Sequence, residues 1–486
     1  MLNEPARFQI ALGFVVVLVC ACFAFSEGGL LADPDTWWHI KSGSDIWHSG
    51  AFPTRDTYSY TFYGQPWIAK DWLSEVILYL SYALAGWNGV WFVATASICV
   101  LAIVIYTTLT KHLRPVMAAI ATLAALSLTS EGFLARPHLL AMPLMVIWTY
   151  WLFQAAQQLR SPNFILLAVL VLWANMHAGF TLGFIIAFLA FLEFLERTRL
   201  SDRAALARWI IFLGLCPLVT LIHPYTYQAM LATFTVMGSN EAVPLITEWF
   251  PFNAQSDYQQ EAVLLVLIFA LMVWRVRFTF AKSLFLILIL HMFLIHVRFA
   301  YVLFPLLPVV TAADIAAQFP TLSAANWRTQ DRDPVERTLT KIFWPFVAAA
   351  MVVGAIMSIL LLKVLPVKHE MPRGSGAIAY AKEHRLSGHV MNAYAFGGPL
   401  IFNSIPSYID GRSDQLFQGG FVVNDDKMQR LGGEKLFLDA LKKYDISWTL
   451  FSPKDARSAI LDSLPTWKRV YADEYAVIFV PVTPPP

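Results

Sequence analysis

The sequence predicts an α-helical polytopic membrane protein with about eleven transmembrane helices and a small C-terminal extracytoplasmic α/β domain. Of its 486 residues, 57% are hydrophobic and 14% are charged, and the mean hydropathy is +0.56. Soluble domains carry roughly 25% charged residues, so this composition indicates a membrane protein. The net charge of +2 gives no basis for a nucleic-acid partner.

Eleven apolar segments approach the ~20 residues with which a helix crosses a bilayer. They predict a transmembrane domain over 1–363, with a long first outer loop at 27–83 that is rich in tryptophan and tyrosine. The predicted spans are 8–26, 84–110, 115–130, 139–158, 163–176, 179–195, 209–223, 261–274, 281–297, 299–317 and 342–363.

The linkers between these spans alternate in character. One set is rich in lysine and arginine, and the other carries histidines, carboxylates and aromatic residues. By the positive-inside rule the cation-rich set is cytoplasmic, and an odd number of spans then places the C-terminus outside. We therefore expect a multi-pass protein of a bacterial inner membrane whose polar groups face the periplasmic or outer side. The cation-rich linkers hold Lys111 and Arg114, Arg160, and the segments 197–208, 275–282 and 328–341.

The segment 364–486 differs from the rest in its pattern. "GSGAIAYAKEHRL", "GGEKLFLDALKKYDI" and "KDARSAILDSL" predict helices, whereas "GHVMNAY", "SWTLFSP" and "KRVYADEYAVIFV" predict strands. "PSYIDGRSD" predicts a strand that enters a turn. Neither a GxGxxG nor a Walker loop occurs there, so nucleotide binding has no support.

The polar residues of the outer linkers lie beside several different spans. Ionisable groups at membrane depth are costly and tend to line a cavity or pair with one another, so we expect one shared outward-facing site. The candidates are Asp33, Asp35, His39, Lys70 and Asp71 in the first outer loop, and Arg136, His138, Asn175, His177, His223, Arg298 and Tyr301 at later outer ends.

Four short motifs carry a resemblance to a known group of enzymes. "DPDTWWHIKSG", "ARPH", "NMHAGF" and "YIDGRSD" resemble bacterial members of the GT-C superfamily, which are integral-membrane glycosyltransferases that use polyprenyl-phosphate-linked sugars. The general layout of the chain is similar to theirs as well. The resemblance implies that an acidic residue just after the first span is catalytic, and both Asp33 and Asp35 fit that description.

The resemblance implies transfer of a sugar from a polyprenyl-phosphate-linked donor to a glycan, lipid or protein acceptor on the outer face. Asp35 is the leading candidate for the general base, Asp33 is the second, and His39 follows Asp35 by one helical turn. Cations would stabilise the departing phosphate. The candidate phosphate contacts are Lys70, Arg136, His138 and Arg298, and the other pocket candidates are Asp71, Asn175, His177, His223, Tyr301, Asp410 and Arg412.

Several of these residues also have structural interpretations. Asp33 before Pro34 is typical of a turn or a helix cap, and His177 near a glycine is typical of a helix terminus. Arg136 and His138 could lie in an interfacial loop. Asp410, Arg412 and Asp414 could form a salt-bridge network within a turn rather than an acceptor site.

Three questions stay open at the level of sequence. Carboxylates and histidines mix in the first loop, which is compatible with a divalent metal, although no HExxH-like spacing supports one. An O-antigen polymerase or ligase is an alternative function, and a membrane transporter is another. No internal repeat of the kind found in transporters is detectable.

Overall fold

The structure is a computed structural model that describes residues 4–26, 28–198, 202–239, 243–329 and 374–482. The chain divides into two compact units. Unit 1 contains Met1–Glu27, Trp91–Thr226 and Glu248–Pro366, and unit 2 contains Gly28–Val90, Tyr227–Thr247 and Val367–Pro486. The predicted limits at 1–363 and 364–486 stay a prediction.

Unit 1 is built from apolar helices around α5, which spans Pro137–Gln157. Pro137 occupies the first turn, where its missing N–H costs no hydrogen bond, and Trp148 lies fully buried in the helix middle. This helix packs against its neighbours Leu166–Met176 and Phe180–Thr198. The other described helices of unit 1 are α1 (Glu4–Ser26), α4 (Pro115–Thr129), Arg203–Val219, Tyr258–Val273, Phe280–Ile295, Ala300–Gln318 and Ala324–Thr329, together with residues 91–109 of the helix Trp72–Leu109.

Five described helical segments are long and apolar enough to cross a membrane: Ala6–Ala24, Trp72–Leu109, Pro115–Gly132, Pro137–Gln157 and Val297–Gln318. Shorter apolar helices occupy Leu166–Met176, Tyr258–Val273 and Phe280–Ile295. The predicted span at 342–363 lies outside the described residues. The count of eleven is therefore not confirmed.

Unit 2 begins with helix α2, Asp35–Ser49, which packs beside the first turns of α3, Trp72–Leu109. The two helices come close because Gly43 of α2 has no side chain. A Cβ at this position would collide with the backbone carbonyl of Glu75. α3 itself has a kink at Ala85 and Gly86, close to the residue at which the predicted loop ended.

The later part of unit 2 contains four strands, β1 (His389–Asn392), β2 (Ile446–Phe451), β3 (Trp467–Ala472) and β4 (Val477–Pro481). They form one sheet in the order β1-β2-β4-β3. β1 pairs with β2 in parallel, and the other pairs are antiparallel. The predicted helices and strands of this segment are present, except that "PSYIDGRSD" forms a loop with one isolated bridge from Ser59 to Ser407. The helices are Ser375–Glu383, Gly397–Phe402, Phe421–Met428, Glu434–Lys443 and Ala456–Ser463, with Tyr227–Ser239 from the middle of the chain.

Candidate functional site

The predicted site residues fall into both units. Unit 1 holds Arg136, His138, Asn175, His177, His223, Arg298 and Tyr301, and unit 2 holds Asp33, Asp35, His39, Lys70, Asp71, Asp410 and Arg412.

The arginine cluster of unit 1 consists of Arg136, Arg298 and Glu248. Arg136 Nη1 donates to Glu248 Oε1 at 2.8 Å, and Arg298 Nη1 lies 3.9 Å from Glu248 Oε2. Arg136 directly precedes α5 in an extended conformation, and Arg298 lies in the short 3-10 helix Val297–Phe299 that leads into the helix Ala300–Gln318. Two predicted cations that are distant in sequence thus share one carboxylate.

Electrostatics at this cluster favour a charged Glu248. Burial alone would raise the pKa of this carboxyl, but Arg136, then Arg298 and His138, outweigh burial and hold the pKa below its usual value. All three members of the cluster remain partly accessible, with side-chain exposures of 16% for Arg136, 23% for Arg298 and 32% for Glu248. An anion is therefore well stabilised at a place that solvent still reaches.

Aromatic residues and histidines surround this cluster. The Arg298 guanidinium lies 4.2 Å from the ring centre of Trp249. His138 Nε2 donates to the Gly132 carbonyl at 2.7 Å, and the His138 ring lies 5.3 Å from the ring of Tyr301. Since that bond uses the Nε2 proton, His138 would need a second proton on Nδ1 to donate to a phosphate.

Three other predicted residues of unit 1 support helix ends. His177 Nδ1 accepts from the Gly179 N–H at 3.0 Å, just after the helix that ends at Met176. Asn175 donates to the carbonyls of Val171 and Ile222, and His223 Nδ1 accepts from the Tyr225 N–H. These contacts fit the structural interpretation of His177 and extend it to the other two.

Asp33 and Asp35 lie where α2 begins in unit 2. Asp33 Oδ1 accepts from the Asp35 N–H at 2.7 Å, so Asp33 fixes the turn that presents Asp35. The Asp35 carboxylate lies against Gly411, because a Cβ on that glycine would collide with it. Asp35 is half-buried and Asp33 is buried.

Lys70 of the same unit forms an ion pair with Asp414. Burial lowers the pKa of Lys70, but Asp414 and Asp71 more than compensate, so the pKa stands above its ordinary value. Lys70 is therefore protonated at neutral pH. Gly411 and Asp414 come from "YIDGRSD", so this loop contacts both Asp35 and Lys70.

His39 is buried and faces a carboxylate that lies outside the predicted set. Its Nδ1 is 3.1 Å from Glu75 Oε1, and Ser42 donates to Glu75 Oε2 at 2.6 Å. Glu75 is 1% exposed. These contacts fit His39 and Glu75 as a pair that fixes α2 against α3.

Arg412 and Asp410 form the buried core of the "YIDGRSD" loop. Arg412 donates to Asp410 through Nε at 2.7 Å and Nη2 at 2.8 Å, and to Asp56 through Nη1 at 2.6 Å. All three side chains are 0% exposed. This geometry fits the structural interpretation, and Arg412 also joins the loop to the segment between α2 and α3 through Asp56.

The predicted set omitted Glu248, Glu75 and Asp414 as site members. The sequence does indicate that Glu75 needs a polar partner, since it is an acid within the apolar stretch "WLSEVILYL". Asp414 belongs to the motif "YIDGRSD", but its partner Lys70 lies 344 residues away in the sequence. The sequence carries no such indication for Glu248.

No group of three or more histidine, cysteine, aspartate or glutamate residues in the described part of the chain is arranged to hold a metal ion. No protein-family model matches the chain, and no curated protein matches it.

A solved structure does match: the crystal structure of ArnT from Cupriavidus metallidurans bound to undecaprenyl phosphate. The match covers 97% of each chain with a TM-score of 0.52 and 15% sequence identity. The chain has the fold of ArnT. The predicted resemblance to the GT-C superfamily is thereby confirmed at the level of the fold, and the chain is a multi-pass membrane protein.

Proposed function

We propose that this protein is a glycosyltransferase that moves a sugar from a polyprenyl-phosphate-linked donor to an acceptor on the outer face of a bacterial inner membrane. The observation that carries the proposal is the likeness, over 97% of both chains, to a structure bound to undecaprenyl phosphate. The arginine cluster supports it, because two guanidinium groups already share one anion there.

In the proposed reaction, the acceptor oxygen attacks the anomeric carbon of the sugar. The bond from that carbon to the phosphate oxygen breaks, and its electron pair stays on the leaving polyprenyl phosphate. The acceptor proton passes to Asp35 as general base. Positive charge that develops on the sugar is stabilised by the same carboxylate.

The position of Asp35 supports this role. Asp35 stands in the first turn of α2, and the Asp33 bond to its N–H fixes the backbone there. Gly411 allows a close approach of the "YIDGRSD" loop to the Asp35 carboxylate. Asp33 is then a positioning residue, because its carboxylate is already committed to the turn.

Arg136 and Arg298 are the proposed contacts of the donor phosphate. Arginine binds phosphate through paired hydrogen bonds, and negative charge on the phosphate grows as the sugar departs. Both side chains keep some access to solvent, so a ligand can reach them. Lys70 is protonated and half-buried, and it is a further candidate contact.

The decisive experiment is a sugar-transfer assay with the purified full-length protein and a radiolabelled sugar attached to a polyprenyl phosphate. We expect release of polyprenyl phosphate together with labelled acceptor when a bacterial envelope extract supplies the acceptor. A nucleotide-linked form of the same sugar is the matched control, and we expect that the protein does not accept it as a donor. Passage of the intact donor across a proteoliposome membrane without its cleavage would instead indicate a transporter.

The proposed outer location is tested separately by thiol labelling in intact cells. The four native cysteines are first replaced, because Cys22 is exposed. A cysteine at the exposed Glu474 should react with an impermeant reagent, and one at the exposed Ala204 should react only after lysis. The reverse pattern would place the C-terminal segment in the cytoplasm.

A further inference from the structure

Glu248 lies between the two arginines to which the proposed function assigns the donor phosphate. Its oxygens are 2.8 Å from Arg136 Nη1 and 3.9 Å from Arg298 Nη1. A carboxylate that bridges two guanidinium groups offers them two oxygens, as a phosphate would. The protein's own anion thus occupies the position in which a phosphate would be bound.

We propose that Glu248 occupies the position of the donor phosphate as a placeholder. The lipid-linked phosphate displaces Glu248 from Arg136 and Arg298 when it binds. This inference rests on the proposed function. It assigns to Glu248 a regulatory role at the same site.

The contrast with the buried Arg412 shows why Glu248 is suited to exchange. Asp410 and Asp56 are 0% exposed around Arg412, whereas the Glu248 side chain is 32% exposed. Partly exposed ion pairs contribute little to stability, so an incoming anion can replace one at small cost.

The backbone beside Glu248 has separate anchors, so the side chain can leave without unfolding the segment. The Val297 N–H donates to the Phe250 carbonyl, and the Phe252 N–H donates to the Leu294 carbonyl. Trp249 is held by the cation–π contact with Arg298. Rotation of Glu248 about its own side-chain bonds is then sufficient to free both guanidinium groups.

The charge at the arginine cluster changes when Glu248 leaves it. With Glu248 in place, the two arginines and one carboxylate sum to +1, and with Glu248 rotated away the site carries +2. The donor phosphodiester carries one negative charge, whereas the product phosphomonoester carries up to two near neutral pH. Glu248 competes with donor and product alike, and its return offsets part of the stronger attraction of the two arginines for the more negative product.

The first test measures binding of undecaprenyl phosphate to the purified full-length protein in detergent. Glu248→Gln removes the competing charge and should tighten binding roughly fivefold, as expected for a partly exposed ion pair. Turnover of this variant should fall because the product leaves more slowly. Glu131→Gln is the matched control, since it removes an exposed acid from the same unit and should leave binding unchanged.

A second variant covers the case in which Glu248→Gln fails to fold. Glu248→Asp keeps the charge but is one methylene shorter, so it should reach the arginines less well and tighten binding to an intermediate degree. Binding that is unchanged or weaker in a folded Glu248→Gln protein, or in Glu248→Asp where the Gln variant does not fold, would overturn the placeholder role.

The same assay keeps the two proposals apart. If Arg136→Ala and Arg298→Ala bind undecaprenyl phosphate as tightly as the wild type, the proposed phosphate site itself is wrong. If they weaken binding but Glu248→Gln does not tighten it, only the placeholder role is wrong.

Discussion

Arg412 in unit 2 and Arg136 in unit 1 both pair with carboxylates, but in opposite environments. Arg412 donates three hydrogen bonds to two carboxylates that are fully buried. Arg136 shares Glu248 with Arg298, and all three side chains stay partly exposed. A buried arginine paired with buried carboxylates stabilises the fold, whereas partly exposed arginines with a shared anion can exchange that anion. Charge and motif alone do not separate these roles.

Substitution of Asp35 has the largest expected effect in this comparison. Asp35 is half-buried, and it is proposed to take part in the reaction rather than to stabilise the fold. Asp35→Asn keeps the shape but cannot accept a proton as a carboxylate. The turnover number should fall by roughly 10²–10⁴-fold with little change in Tm. Sugar transfer by the purified variant measures this.

Asp33→Asn is the matched control for Asp35. Its amide oxygen can still accept from the Asp35 N–H, so the loss of turnover should be milder. Near-normal turnover of Asp35→Asn would disprove the assignment. If Asp33→Asn were inactive in the same assay, the general base would be Asp33.

Arg412→Ala tests whether the buried arginine stabilises the fold. It leaves Asp410 and Asp56 buried without their cation, and the loss of one partner of a buried ion pair costs about 3–5 kcal/mol. Tm of the full-length protein should therefore fall strongly. Arg430→Ala breaks an exposed pair with Asp426 and should change stability by less than about 1 kcal/mol. Equal shifts in Tm would contradict the distinction between the two kinds of arginine.

Gly411→Ala tests the contact between the "YIDGRSD" loop and Asp35. The added Cβ meets the Asp35 carboxylate, so either the loop or the carboxylate must move. Overpacking of this kind costs about 1–3 kcal/mol, and we expect a fall in turnover of about tenfold. Gly29→Ala is the control, since nothing lies within 4 Å of its Cβ position. Identical turnover of both variants would show that the contact does not position Asp35.

The smallest expected effect is a pH dependence of the Glu248 pair. The pKa of Glu248 is lower in the folded protein than its usual value of 4.5, so the pair contributes stability above that value and loses it as the pH falls through the folded pKa. The difference in Tm between wild type and Glu248→Gln should be constant above pH ~5 and shrink below it. A difference that persists unchanged in acid would show that the carboxylate charge does not stabilise the cluster.

The local sequence predicted the helices and strands better than it predicted which side chains pair with one another. The apolar segments and the helices and strands of the C-terminal segment follow from periodicity, which neighbouring residues set. Asp410 and Arg412 are two residues apart, so their pairing could be proposed from the motif. Arg136 and Arg298 were found as cations near span ends, but Glu248 is 112 residues from Arg136 in an irregular linker. Contacts at such separations depend on packing, which one sequence does not display.

The pairs that complete the first loop also constrain how the protein is made. Lys70 meets Asp414 across 344 residues, and Asp56 meets Arg412 across 356. At a synthesis rate of ~5–20 residues per second, the second partner leaves the ribosome tens of seconds after the first. During that interval Asp56 lacks Arg412 and Lys70 lacks Asp414, so the segment cannot reach its final buried state. A nascent chain interrupted before "YIDGRSD" would consequently carry a first loop without these two ion pairs.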